Sequence, residues 1–582
     1  MDPTNQEQED DRAWRQEEGV PTFDEPFIQR YLDGRDALIA QESKQRSDHA
    51  FRENLTPMAA EASAIVSAIR FEEQNTLWNR TYEDNLSKQE NYEIYPGMMF
   101  TLAKERMESS KLWKIIKKMP KGSLLHCHLD AMGDLDWQIN EAFATEGLQL
   151  FADGPLDTPE ARTSIPFRFQ HAGSVEDAAS LPSIWSSSYT PGTGIPLTQA
   201  ADAFPSGGKP AFIAWFKSRV TITPHESLNH HLGIDEVWRK FMSGFPILAS
   251  LHFYEPFFRK WIRHILSDLH ADGVRWVDFR SVLYAPWYPT GSTTPDPDHR
   301  NALRALEEEI ESFKTSDEGK GFWGARLIWT SMRSAPTKSL VSDMQTCIAM
   351  KQLYPDLICG YDVVGQEDLG RPHADMVPEL FYFKKKCMEE GVDIPFFFHA
   401  GETLDTGGEV DGNLFDVILL GTRRIGHGFS LYKHPLLIDM VKDKRILIES
   451  CPVSNEVLRL TGSILSHPLP ALIARGVACS LCNDDPVMLG QGVSGMTHDF
   501  WQALQGWESL GLEGLASLAE NSVRHASFED CSAKEWTQEV KDGAFGKGVR
   551  AQRMRQWAAE FEEFCAWVVQ EFGPEHDLKT LD

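Results

Sequence analysis

Apolar positions change their period near residue 120. Upstream, "MAAEASAIVSAIRFEEQNTLW" (58–78) and "MMFTLAKERMESSKLWKIIKKM" (98–119) bring apolar residues back every three or four positions, the spacing of one buried helix face. Pro120 stops the second run. Downstream, short β-branched and aromatic runs alternate with helical stretches. They predict strands at "SLLHCH" (123–128), "VRWVDFR" (274–280), "ARLIWTS" (325–331), "LICGYDVV" (357–364), "IPFFFH" (394–399), "RRIGH" (423–427), "RILIES" (445–450) and "VACSLCN" (477–483). Strands alternating with helices predict a parallel sheet covered on both faces. Eight such units predict an α/β fold: a (β/α)8 TIM-type barrel with an N-terminal helical extension.

The same pattern divides the chain. Residues 1–19 read as an acidic disordered tail, 20–118 as an N-terminal helical module, 119–568 as the barrel and 569–582 as a C-terminal tail. The interval from about 140 to 233 exceeds a single crossover and is rich in Pro, Gly and Ser ("SSSYTPGTGIPLTQAADAFPSGGKP"). It is expected to be an insertion after the first barrel strand, and its composition assigns it no chemistry. A helical pattern returns in "GVRAQRMRQWAAEFEEFCAWVVQEFG" (548–573), expected on the outside of the barrel.

Charge narrows the partners. The net charge of −29 over 582 residues repels phosphate backbones and anionic lipid heads, so nucleic acid is not an expected partner. No apolar stretch is long enough to span a bilayer, so no membrane partner is expected either. The start "MDPTNQEQEDDRAWRQEEGV" has no basic-then-apolar pattern of a secretory leader, and the expected location is cytoplasmic. Asn54, Asn79 and Asn85 each open an N-x-S/T sequon, which points weakly the other way. The nine thinly spread cysteines are expected to be reduced thiols, and Cys479 and Cys482 of the C-x-x-C to serve packing.

Candidate chemistry starts in "LLHCHLD", where His126 and His128 sit two apart on a strand and so share a face. Alone, the pair reads equally well as two core histidines. The other polar residues decide: His399 ends one predicted strand with Glu402 just beyond, His427 ends the next, and Asp484 and Asp485 end the last. Singly, His427 suits a core or capping position, Glu402 a first helical turn and the Asp pair an N-cap. Together they fall at strand C-termini, which in an α/β barrel converge on the mouth that carries the active site. Three imidazoles and a carboxylate are a donor set suited to catalytic zinc with a position open to water. Glu402 is placed for proton transfer.

The segments "MPKGSLLHCHLD", "FFFHAGE", "RIGHGFSL", "CPVSNEVL" and "NDDPVM", in this order, resemble the adenosine deaminase family, and in particular its adenosine deaminase-related growth factor branch. "VWRKFMSGFPILASLHFYEPFFR", "ICGYDVVGQED" and "HPLPALIARG" resemble that branch too, so the likeness runs with gaps from about residue 90 to 530. The resemblance implies hydrolytic deamination of adenosine, with 2′-deoxyadenosine alongside it, to inosine and ammonia, using one Zn2+ per chain. It implies zinc ligands at His126, His128, His399 and Asp484, a proton-donating acid at Glu402, and a water-orienting pair at His427 and Asp485. It also implies a carboxylate near the sugar at Asp130, a backbone donor to the purine at Gly365, and a wall of the ribose pocket at Trp238. A homodimer through the N-terminal helices and an extracellular location are further implications.

Departures from the branch are a Met at position 332, where a His is usual, and the lack of cysteines in the insertion. Two alternatives remain at this stage. One is a deaminase of another 6-aminopurine such as AMP, against which Asp130 would repel a phosphate. The other is a non-catalytic signalling or binding protein on a deaminase barrel, against which every metal and acid position is filled.

Overall fold

In the computed structural model, the described residues are 12–78, 100–173 and 181–575. Strands are numbered β1 (Gly122–His128), β2 (Leu148–Ala152), β3 (Phe167–His171), β4 (Ile195–Pro196), β5 (Val274–Ser281), β6 (Gly324–Met332), β7 (Ile358–Val364), β8 (His399–Ala400), β9 (Arg424–His427), β10 (Leu447–Ser450) and β11 (Cys479–Leu481). Eight of them form two parallel four-stranded sheets, in the orders β1-β5-β6-β7 and β11-β10-β9-β8. Helices separate consecutive strands within both sheets, among them Arg300–Thr315, Thr337–Leu353, His373–Glu389 and Pro435–Lys444. The strands are buried along nearly their whole length, so their apolar residues pack on both faces, as parallel strands under helices require.

The two sheets touch along both outer edges. The His128 N–H donates to Asp484 O (3.0 Å) and the Asp484 N–H to His126 O (3.2 Å), joining β1 to the exit of β11. On the other side the Tyr361 N–H donates to Pro395 O (2.9 Å) and the Phe397 N–H to Tyr361 O (3.1 Å), joining β7 to the approach to β8. The expected strand 394–399 shrinks to His399–Ala400. Pro395 has no N–H to give a ladder, so its stretch pairs by isolated bridges instead.

The expected single helical run before Pro120 is two helices, Phe100–Glu108 and Lys111–Lys118. Ser110 splits them, because its hydroxyl caps the second by accepting from the Trp113 N–H (3.0 Å). Further upstream, Pro57–Thr76 buries Ile65, Val66 and Ile69, whereas Pro26–Ser43 buries no residue. The interval after β1 has architecture the composition did not suggest: an antiparallel sheet in the order β3-β2-β4 and the helix Gly208–Val220. The last long helix, Val549–Phe572, runs past the expected boundary at 568. All nine cysteines are unpaired thiols. No helix among the described residues is long and apolar enough to cross a membrane. Asn54 is exposed, while the sequons at Asn79 and Asn85, and most of the expected N-terminal tail, lie outside the described residues.

Candidate metal centre and pocket

The C-terminal ends of both sheets meet at one cluster. His126 and His128 come from β1, His399 from β8, and Asp484 from the turn after β11. Their ligand-capable atoms all lie within 4.8 Å of one another. Asp484 Oδ1 stands 3.2 Å from His126 Nε2 and 3.4 Å from His128 Nε2. Although buried, His126 Nε2 and Asp484 Oδ1 have no hydrogen-bond partner. Buried polar atoms are normally satisfied, so two orphans aimed at each other among imidazoles fit a site built for a cation.

Carboxylates behind the imidazoles fix which nitrogen faces the cluster. His126 Nδ1 is 2.8 Å from Glu449 Oε2, and His399 Nδ1 is 2.6 Å from Asp362 Oδ2. Each histidine thereby presents Nε2 forward, as ligating histidines backed by carboxylates do. Arg280 joins the two carboxylates, donating to Asp362 Oδ2 (2.8 Å) and Glu449 Oε2 (2.8 Å), and Arg424 bonds Glu449 and Asp278. All five of these charged residues are fully buried. Against the cost of burial, the bonded His399 imidazole and the Arg280 charge hold Asp362 far below the usual carboxylate range, and Arg280 and Arg424 do the same for Glu449. Burial pushes His399 down to about 3, keeping it a neutral donor.

Beside the cluster lies a cavity of about 240 Å³ walled by Phe241, Phe245, Val282, Met332 and Val364. The candidate site residues other than His126 all line it: Asp130, Trp238, Gly365, Glu402, His427 and Asp485 join His128, His399 and Asp484. Asp130 accepts from the Ser281 hydroxyl (3.1 Å) and the Val282 N–H (3.3 Å), and burial raises its carboxyl to about 7. Trp238 comes from the helix Gly233–His252 and packs edge-on against Phe241. Met332 reaches toward Gly365, whose φ of +108° suits glycine alone.

Glu402 Oε1 is 3.6 Å from His427 Nδ1 and has no hydrogen-bond partner. Burial, with the nearby Asp484 and Glu367 charges, raises Glu402 well above the usual carboxylate range. Burial and the adjacent Asp484 likewise raise Asp485. Asp484 itself is held low despite burial by the facing His427 and His126, and its Oδ2 accepts from the Ser454 hydroxyl (2.7 Å). His427 (φ +62°) and Asp484 (φ +57°) both adopt left-handed backbone, a cost of about 1–3 kcal/mol each for non-glycine residues, often found where side chains must be aimed. The pocket thus sets a carboxyl whose burial favours its protonated form beside an imidazole whose burial favours its neutral form, next to the candidate cation site.

Asp362, Glu449 and Arg280 were absent from the sequence-derived site. The available signal was a charge in the interior of an apolar strand: "CGYDVV", "ILIES" and "WVDFRS" each carry one or more.

The family model for adenosine deaminase matches residues 218–542, which takes in His399, Glu402, His427 and Asp484 but not β1. Adenosine deaminase 2-A of Danio rerio is 31% identical over 74% of this chain and 80% of its own length. Adenosine deaminase 2 of Sus scrofa is 31% identical over 75% of this chain and 81% of its own length. Among solved structures, an adenine deaminase from Arthrobacter aurescens aligns with 73% of this chain and 98% of its own at 17% identity and a TM-score of 0.46. By the extent of the family match and of these relatives, the chain belongs to the adenosine deaminase family, in its adenosine deaminase-related growth factor branch.

Proposed function

We propose that the protein is a zinc-dependent aminohydrolase that converts adenosine, and 2′-deoxyadenosine with it, to inosine and ammonia. The observation that carries this reading is the convergence of four ligand-capable side chains within 4.8 Å at the floor of a pocket that also holds the unpaired Glu402 carboxyl. Family membership supplies the substrate class: relatives named adenosine deaminase match most of the chain. The edge contacts of the two sheets support a closed (β/α)8 barrel, with this pocket at its C-terminal mouth.

The donor set of three imidazole nitrogens and one carboxylate suits zinc. A zinc ion held by His126, His128, His399 and Asp484 would supply Lewis acidity that brings the pKa of water to about 7. The remaining steps belong to the chain. Glu402 gives its proton to purine N1 as water adds to C6. His427 and Asp485 orient that water and take up one of its protons, which passes to the departing amino group; as the C6–N bond breaks, the C6 hydroxyl gives its remaining proton back to Glu402, so that ammonia leaves and inosine remains. Gly365 offers its backbone N–H to the purine, Asp130 accepts from a sugar hydroxyl, and Trp238 walls the ribose.

Asp130 in the pocket disfavours a 5′-phosphate, which sets this reading against AMP. A panel of adenosine, 2′-deoxyadenosine, AMP and adenine, run with metal analysis, tests it. Turnover of the two nucleosides with one zinc per chain is expected. Preference for AMP, or a folded chain lacking both zinc and turnover, overturns it; the second result favours a binding module. The exposed Phe27, Tyr31, Leu38 and Ile39 on the helix Pro26–Ser43 support pairing of two copies through the N-terminal helices, which sedimentation of a chain lacking residues 1–118 checks.

A further inference from the structure

Glu402 Oε1 is buried with no hydrogen-bond partner, so the placement of the carboxyl depends on its backbone. That backbone needs holding, because the preceding Gly401 sits at φ +78°, outside regular strand geometry. The support comes from one buried carboxylate two residues beyond Gly365. Glu367 Oε1 accepts from the Glu402 N–H (2.8 Å), while Oε2 accepts from the Gly401 N–H (3.2 Å) and the Asn413 side-chain amide (2.7 Å). Asn413 in turn accepts from the His373 N–H (2.8 Å), and the Thr403 hydroxyl donates to Asp368 (2.7 Å). The loop after β7 and the loop after β8 are therefore stapled side by side at the pocket wall.

We propose that Glu367 is a positioning residue that fixes the spacing between the two purine-facing groups, the Gly365 backbone and the Glu402 carboxyl. The proposal rests on the deaminase reading for the meaning of those groups, though its geometry stands without it. Each end of the staple is a residue the substrate would touch, and Glu367 is the side chain bonded to one and two positions from the other. Its negative charge also lies among those that favour a protonated Glu402, the form needed for donation.

Glu367→Gln keeps one acceptor but turns an NH2 toward the Gly401 N–H and the Asn413 amide. Misplacement by about 1 Å can cost on the order of 100-fold in rate, so kcat for adenosine is expected to fall about 10- to 100-fold with a smaller change in KM. Zinc content and the melting midpoint should stay near wild type. The double variant Glu367→Gln/Asn413→Asp reverses donor and acceptor across that pair and should regain at least about half of the lost rate on a logarithmic scale. Hydrogen exchange supplies a readout free of catalysis: protection of the Gly401 and Glu402 amides should drop in Glu367→Gln and partly return in the double variant. Unchanged protection, unchanged kcat, or a rate loss that merely tracks zinc loss or unfolding overturns the proposal. A wild-type enzyme inactive on adenosine would refute the deaminase reading, and the exchange experiment would still judge Glu367.

Discussion

The two sheets divide the work unequally. β1, β5, β6 and β7 run 7, 8, 9 and 7 residues, whereas β8, β9, β10 and β11 run 2, 4, 4 and 3. The short-stranded half contributes His399, Glu402, His427, Asp484 and Asp485, and the long-stranded half contributes the β1 histidines and much of the apolar wall. The short half gives up ladder to aim side chains: the left-handed His427 ends β9, and the left-handed Asp484 stands three residues beyond the end of β11. The halves are also cross-braced: Glu449 of β10 holds His126 of β1, and Asp362 of β7 holds His399 of β8.

The largest effect should come from the short half. Glu402→Gln is nearly isosteric and leaves the ligand cluster untouched, so zinc content should hold while kcat for adenosine falls by about 10²–10⁴. Equal turnover in a zinc-replete variant would remove the acid from the scheme. Next comes the brace. Arg280→Ala strips the shared cation from two fully buried carboxylates, and breaking a buried pair this way costs about 3–5 kcal/mol. Urea unfolding measures it, with the exposed Arg263–Glu318 pair as the control; Arg263→Ala should cost at most about 1 kcal/mol. Similar costs for both would mean that the brace does not couple the halves.

The same contrast decides what the sequence made legible. In the long half, the predicted limits of β1, β5, β6 and β7 agree with the structure within one residue, because strands buried on both faces read as unbroken apolar runs. In the short half the apolar runs outlast the strands: "IPFFFH" and "VACSLCN" predict six and seven residues, of which only His399 and Cys479–Leu481 fall in regular strands. Burial was legible there and hydrogen bonding was not. The cluster residues were readable because polar residues at the ends of apolar runs stand out. Asp362, Glu449 and Arg280 stood out equally as buried charges, but their partners lie on distant strands that no local pattern connects.

Exit helices of the two halves differ in how they bury an acid. Glu379, in the helix after β7, is held below its ordinary 4.5, against burial, by the Thr337 hydroxyl and Arg371. Glu456, in the helix after β10, has only neutral donors, the N–H groups of Phe100 and Ile464 and the Gln502 amide, and burial raises it to about 8. The signs are opposite. Folding stability from Glu379 is present above 4.5 and lost as pH falls through its depressed value. The folded state holds the Glu456 proton between about 4.5 and 8, so stability falls as pH rises across that window. Unfolding free energy against pH should therefore flatten between about 5 and 8 in Glu456→Gln, and change below about 4.5 in Glu379→Gln. Coincident profiles for the two variants would erase this difference between the halves.

The smallest expected effect isolates aim from stability. Ile328 of β6 and Ile448 of β10 are both fully buried, and Ile→Val at either should cost about 0.5–1.5 kcal/mol by denaturant unfolding. Their surroundings differ. Ile448 Cδ1, the methyl group that valine lacks, is the atom nearest to where a Cβ on Gly428 would stand (2.9 Å), so it props the left-handed turn directly after His427. Ile328 packs with Cys359, Phe397, Trp536 and Val540, away from the pocket lining. Ile448→Val should therefore lower kcat a few-fold at unchanged zinc content, while Ile328→Val leaves it alone, since a shift of a fraction of an ångström at a positioned base is felt in rate before it is felt in stability. Equal kcat in the two variants would mean that the short strands tolerate slack as well as the long ones do, and that the left-handed turn, with no help from its packing, fixes the imidazole.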